Sequence, residues 1–241
     1  MCIRDRAEAV AKEAQAHHLD FPILHIYLYQ IDFLRHDPEG MKREAALVSA
    51  KPGYGNLMLD VESYSAASAG QFVRARDLTR QAAVGAQRAQ DNEDAASYLA
   101  EAAMSEAVAG NREFAKRQAL AALALSKDKG KDIERMAATA LALAGDSSGA
   151  ARLAADLSKR FPEDTQVAIT GAMIQAAILL NQGEAGKGID ALAAIAPYDL
   201  TSSDDTASTA YLRGQVLLAA HEGAAAAVQF RKVLDLSLIH I

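Results

Sequence analysis

Tryptophan is absent from this 241-residue chain, and the aromatic share is only 5% although 51% of the residues are hydrophobic. A core made from such a sequence relies on Ala, Leu, Val and Ile in place of large aromatic anchors, which suits helices that approach one another closely. Cysteine is reduced to Cys2. A single thiol forms no internal disulfide and no metal-binding pair, so the chain offers no redox framework and says nothing of its compartment. An excess of positive charge is lacking too, with a formal net charge of -6 and a pI near 5.5. Phosphate binding draws on clustered Lys and Arg that release counterions, so no direct nucleic-acid partner is expected. No run approaches the roughly 18 apolar residues of a membrane span. The longest candidates, Ala119–Leu125 and Met173–Leu180, are short and alanine-rich, as buried helices are. The opening MCIRDR has neither the apolar core nor the cleavage site of a signal peptide. These absences lead to the expectation of a soluble, cytoplasmic chain without a membrane span; a span lying upstream would instead place it outside the cytoplasm.

Ala, Leu, Gln, Glu, Lys and Arg favour helix throughout, and strict apolar–polar alternation is not sustained anywhere except in the closing SLIHI. The fold class is all-α. Residues 7–17 read as one helix, and Pro22 at a first-turn position opens the most hydrophobic one, whose all-round apolarity predicts burial on more than one side. Asp37-Pro38 starts a helix running to about Ser49, which Lys51-Pro52-Gly53 breaks. Pairs then follow at about 54–69 with 71–89, 92–109 with 112–126, 131–144 with 147–160, 165–182 with 185–195, and 205–220 with 223–236.

A small residue followed five positions later by alanine recurs where one helix gives way to the next: Gly70 with Ala75, Gly110 with Ala115, Gly145 with Ala150. The glycines at 70, 110, 145 and 183 are 40, 35 and 38 residues apart, and a further 38 reaches His221, which precedes Ala226 by five. A period in this range marks a helical-hairpin solenoid. Each unit is too small to bury its own apolar face, so neighbours stack, and the product is an extended binding surface.

These residues resemble the tetratricopeptide repeat. Gly214, Ala226, Phe230 and Val233 match its positions 8, 20, 24 and 27; Ala138, Gly145, Ala150, Ala154, Leu157 and Pro162 match positions 8, 15, 20, 24, 27 and 32 of another unit. Small residues at 8 and 20 let paired helices approach, and Pro ends the second helix. Position 4 lacks its Trp, and Gly188 and His221 stand where Ala and Gly are the rule. The resemblance implies a right-handed α-solenoid of about five to six hairpins over residues 7–236, binding a protein or peptide in a concave groove. It implies groove positions on the first helix of each hairpin: Asp60, Tyr64, Ser97, Met104, Arg135, Thr139, Thr170, Met173, Asn181, Tyr211 and Gln215. Tyr211 and Arg135 are the expected anchors, because aromatic and Arg side chains dominate interface energetics. The Lys and Asn set with which some members clamp a terminal carboxylate is missing. The stretches FPILHIYLYQIDFLRHDPEGMKREAAL, KPGYGNLMLDVESYSAASAGQFVRARDLTRQAA, SKRFPEDTQV and YLRGQVLLAAHEGAAAAVQFRKVLD are similar to the repeat region that follows the catalytic domain in bacterial, notably acidobacterial, serine/threonine protein kinases. Similar repeats also follow winged-helix domains in bacterial transcription regulators, which is the alternative parent.

Catalysis within the chain is not expected. A kinase needs a glycine-rich phosphate cover, a Lys–Glu pair, an HRD loop and a DFG metal ligand. Arg35-His36-Asp37 reads instead as a helix end, Gly53-Tyr54-Gly55 as a turn, and Gly186-Lys187 lacks the rest of a phosphate loop. Adjacent His17 and His18 point about 100° apart on a helix and lack the i, i+4 spacing of a zinc pair, so they read as a solvated helix end. His25, on the apolar helix, reads as packed and satisfied by a neighbour. Lys127–Lys131 reads as a solvated basic loop, Glu163-Asp164 as a helix cap, and Asp204-Asp205 as a helix start favoured by the dipole. No cofactor, metal or catalytic residue is assigned.

The two ends, residues 1–6 and 237–241, break from the alanine-rich pattern and resemble translated adapter sequence. They are expected to be non-native tails around a piece of a longer protein.

Overall fold

The computed structural model describes residues 3–126, 130–198 and 203–239. Among them are thirteen α-helices, one short 3₁₀ turn and no strand, so the chain is all-α. They fall into two compact units, one running to Tyr98 and the other starting at Leu99.

The first unit holds α1 (Ile3–Ala16), α2 (Pro22–Leu34), α3 (Pro38–Ser49), α4 (Gly55–Ser68), α5 (Phe72–Arg88) and the beginning of α6 (Asn92–Val108). Pro22 and Pro38 each sit in a first turn, where a missing N–H costs nothing, and Asp37 caps α3 by accepting from the Gly40 amide at 3.0 Å. Adjacent helices pack in pairs, α2 with α3 and α4 with α5. Ile26, Tyr29, Ala45, Val48 and Met58 make a core. The apolar α2 also touches α1 and α4, so it is covered on more than one side, but Ile23 and Tyr27 remain exposed. Between α4 and α5, the buried Ser63 hydroxyl donates to the Ala75 carbonyl at 3.0 Å and lies 2.6 Å from Thr79 Oγ1.

The second unit continues with the rest of α6, then α7 (Arg112–Leu125), α8 (Lys131–Leu143), α9 (Ser147–Arg160), α10 (Thr165–Asn181), α11 (Ala185–Ala193), the turn Ala196–Tyr198, α12 (Ser203–Ala219) and α13 (Gly223–Ile239). Sequence neighbours pair again, as α8 with α9, α10 with α11 and α12 with α13. Alternate helices touch as well: α10 packs on both α8 and α12. The core is rich in alanine, with Ala103, Ala119, Ala137, Ala140 and Ala176 around Leu141, Ile174, Leu192 and Val216. The backbone of α12 lies close to the Phe230 ring of α13 at Gly214, where a Cβ would be 2.6 Å from its Cε1.

One backbone device recurs at the end of α2, α4, α6, α8, α10 and α12, and it also closes α1 at His18 and α5 at Gln90. His36, Gly70, Gly110, Gly145, Gly183 and His221 all adopt positive φ, between 56° and 90°. In each case the next amide reaches back to a carbonyl five residues earlier, from Asp37 N to Asp32 O at 2.9 Å through Glu222 N to Leu217 O at 2.9 Å. This left-handed cap satisfies carbonyls that a helix end would otherwise leave bare. His221 therefore takes the glycine conformation at the place where the glycine period points, and His36 extends the series one step earlier. Five residues beyond the cap, Ala75, Ala115, Ala150, Gly188 and Ala226 are all buried.

Two sequence expectations lie partly outside the described residues. Of the basic loop, residues 127–129 are outside and Lys131 pairs with Asp164; of the two tails, residues 1–2 and 240–241 are outside. Ile3–Arg6 form the start of α1, and α13 carries the helix through the alternating SLIHI segment as far as Ile239. Asp204 and Asp205 fall in the first turn of α12.

Candidate interaction cleft

Within the second unit, a cleft of about 510 Å³ opens at the C-terminal ends of α6, α8 and α10 and against the middle of α12. The cap geometry puts it there. Val108, Leu143 and Asn181 each lie two residues before a left-handed glycine, at Gly110, Gly145 and Gly183, so the same register position is presented by three alternate helices. Ala107, Ala177 and Leu180 complete the apolar lining, and Tyr211 and Gln215 supply polar groups from α12. Arg112, exposed at the first turn of α7, is the ionisable guanidinium on the rim.

Three residues expected in a groove, Asn181, Tyr211 and Gln215, therefore line one cleft. Asn181 is fixed by donating from Nδ2 to the Ala142 carbonyl at 2.9 Å. The Tyr211 ring rests on Phe230, with centroids 5.8 Å apart and planes tilted by 58°. The Tyr211 side chain is partly buried there and lines the cleft. The cleft is thus lined by two carboxamides, a phenol and several short aliphatic side chains, with Arg112 at its rim.

Two further expected residues, Arg135 and Thr170, form a separate polar seam between α8 and α10. Arg135 is not the open anchor expected of it: its side chain is only 14% exposed, and its guanidinium donates to Thr170 Oγ1 at 2.8 Å, Gln166 Oε1 at 3.2 Å and Asp132 Oδ1 at 3.1 Å. A buried guanidinium needs its donors paired, so this charge holds two helices together. Thr139 donates back to the Arg135 carbonyl at 2.9 Å, and buried Met173 accepts from Thr209 Oγ1 at 3.4 Å. Met104 packs half-buried against the alanine core. Ion pairs flank the seam, Lys131 with Asp164 at 2.6 Å and Arg160 with Glu134. The Lys131 hydrogen bond holds the Asp164 carboxyl below its ordinary range, and Asp164 also caps α10 by accepting from the Gln166 and Val167 amides.

Asp60, Tyr64 and Ser97 belong to the first unit. Tyr64 is 63% exposed, Ser97 half-buried and Asp60 buried. Burial, then the charges of Asp94 and Asp60, pushes the Tyr98 phenol upward and keeps it neutral. His17 and His18 are exposed at the end of α1, and His25 is buried and bonded by two carboxylates. Arg35-His36-Asp37 forms the left-handed cap and the α3 N-cap, which accounts for all three residues.

Val108, Leu143 and Leu180 were not singled out by sequence. The offset of two residues before a repeated glycine is the signal that finds Val108 and Leu143, and Leu180 precedes Asn181, which holds that position before Gly183. Comparison of the chain with protein-family models, curated proteins and solved structures gives no match.

Proposed function

We propose that this chain is a non-catalytic protein-interaction module built as a right-handed, tetratricopeptide-like solenoid, and that it belongs to the regulatory region of a bacterial serine/threonine protein kinase. The observation that carries the interaction role is the cleft, because its walls come from alternate helices at one register position. The recurring left-handed cap and the packing of α10 on α8 and α12 support the stacked-hairpin reading. The kinase parent rests on the similarity of the quoted stretches to the repeat region of such kinases. No helix among the described residues is long and apolar enough to cross a membrane.

Selection of peptides from a random display library on the immobilised chain tests the interaction role. The Asn181→Ala, Gln215→Ala double variant should bind selected peptides at least about tenfold more weakly while keeping the wild-type helical circular-dichroism spectrum. Peptides that bind both proteins equally would refute the cleft as the binding surface. Sequencing of the flanking coding DNA tests the parent: an in-frame upstream kinase domain supports it, and a winged-helix domain there would refute it.

A further inference from the structure

We propose that Asp20, His25 and Glu44 form a proton-operated clasp that holds α1 and the loop after it against α2 and α3. His25 on α2 is 3% exposed, and both ring nitrogens face carboxylate oxygens: Nδ1 lies 2.6 Å from Glu44 Oε2 on α3, and Nε2 lies 2.9 Å from Asp20 Oδ1 in the loop between α1 and α2. A neutral imidazole has one N–H and one lone pair, so it can donate to only one of them. A lone pair turned toward a carboxylate at such a distance is repulsive. Both bridges therefore need two protons shared by the three groups, whether as an imidazolium between two carboxylates or as a neutral ring beside one carboxylic acid. With one proton fewer, one bridge breaks.

The Asp20 bridge is the one that opens. The Glu44 side chain is 8% exposed, makes the shorter bridge and uses its other oxygen to accept from Arg43 Nε at 3.1 Å. Leaving that carboxylate unpaired inside the protein is costly. The Asp20 side chain is 46% exposed and can turn to water. Its other contact is the Gln15 amide of α1, at 3.4 Å.

The charged groups of every neighbouring element agree with this division. On α3 they are Glu44 and Arg43, and Arg43 is also 3.8 Å from Asp32 of α2. On α1, Glu8 pairs with Lys12 and with Arg35 at the far end of α2. On α4, Glu62 lies beside Arg74, Asp60 is buried, and neither bonds the imidazole. With the Asp20 bridge open, α1 keeps the Glu8–Arg35 pair near its middle and loses the tie at its end. The proton-rich state is closed and the proton-poor state is open.

The test uses the full chain. Ring-nitrogen NMR follows His25, and amide hydrogen exchange follows the last turn of α1, from about pH 5 to about pH 8, the range in which histidines exchange their protons. Protection of the Leu19 amide, which bonds the Ala14 carbonyl at 2.8 Å, should fall about tenfold with the same midpoint as the His25 ring signal, while α3 amides stay protected. Asp20→Asn should remove the dependence and keep α1 docked throughout, because a carboxamide can turn to accept from N–H or donate to a lone pair. Flat protection while His25 titrates would overturn the proposal. So would a midpoint that follows the exposed His17 or His18, or an Asp20→Asn chain that keeps the wild-type dependence. If that variant does not fold, the wild-type comparison of midpoints decides alone.

Discussion

Replacing Gly214 by Ala sets a local preference against tertiary packing, and the structure gives the sign. Glycine inside a helix is about 0.5–1 kcal/mol worse than alanine, so a helix treated alone would gain from the change. In α12, however, the added methyl would sit 2.6, 2.8 and 2.9 Å from three atoms of the Phe230 ring on α13. Carbon atoms in contact prefer about 3.5–4.0 Å, so either the ring or the helix must give way by close to 1 Å. The ring is not free to do so, since the Tyr211 ring packs against it, tilted by 58° with centroids 5.8 Å apart. Overpacking of this kind costs about 1–3 kcal/mol. Subtracting the helix gain leaves a net loss of up to about 2.5 kcal/mol, seen as a fall of up to about 10 °C in the melting temperature. The decisive assay is a double-mutant cycle in urea with Phe230→Leu, which withdraws the ring atoms. In that background Gly214→Ala should become stabilising by about 0.5–1 kcal/mol. A Gly214→Ala chain more stable than wild type, or the same loss in both backgrounds, would refute the close approach of α12 and α13.

Two other outcomes follow from burial and pairing. Ala150, fully buried five residues after the Gly145 cap, leaves no room for extra methylenes, so Ala150→Leu should lower stability by about 1–3 kcal/mol; an unchanged urea midpoint would show slack at that crossing. The Asp164 carboxyl, held low chiefly by Lys131, contributes stability that is fully present above its unfolded value near pH 4 and is lost as pH falls through the lower folded value. The stability gap between wild type and Lys131→Met should therefore be constant at neutral pH and close on acidification, and a gap that widens toward acid would contradict the pairing.

Local chemistry made the helices legible. Pro22, Pro38, Asp37 and Asp164 mark helix starts by what their own side chains do to a first turn, and the structure uses all four in that way. The period was legible for the same reason, since a left-handed cap selects glycine for its missing Cβ. His36 and His221 show where this signal weakens: both adopt the left-handed conformation without being glycine, so only the spacing pointed to His221 and nothing local marked His36.

What a side chain faces was decided by tertiary structure. Arg135 and Tyr211 both belong to the first helix of a hairpin, and sequence assigned them one role as anchors. The neighbouring helix separates them, because α10 offers Thr170 and Gln166 to the guanidinium, whereas Tyr211 lines the cleft. His25 is a similar case. Its place on an apolar helix predicted burial and a neighbouring partner, but the two carboxylates that hold it come from 5 residues before and 19 residues after. Helix starts, caps and period are short-range properties carried by a few consecutive residues, so the sequence by itself determined them. The cleft, the polar seam and the histidine clasp depend on which faces of separate helices meet, and only packing of the whole chain decided that.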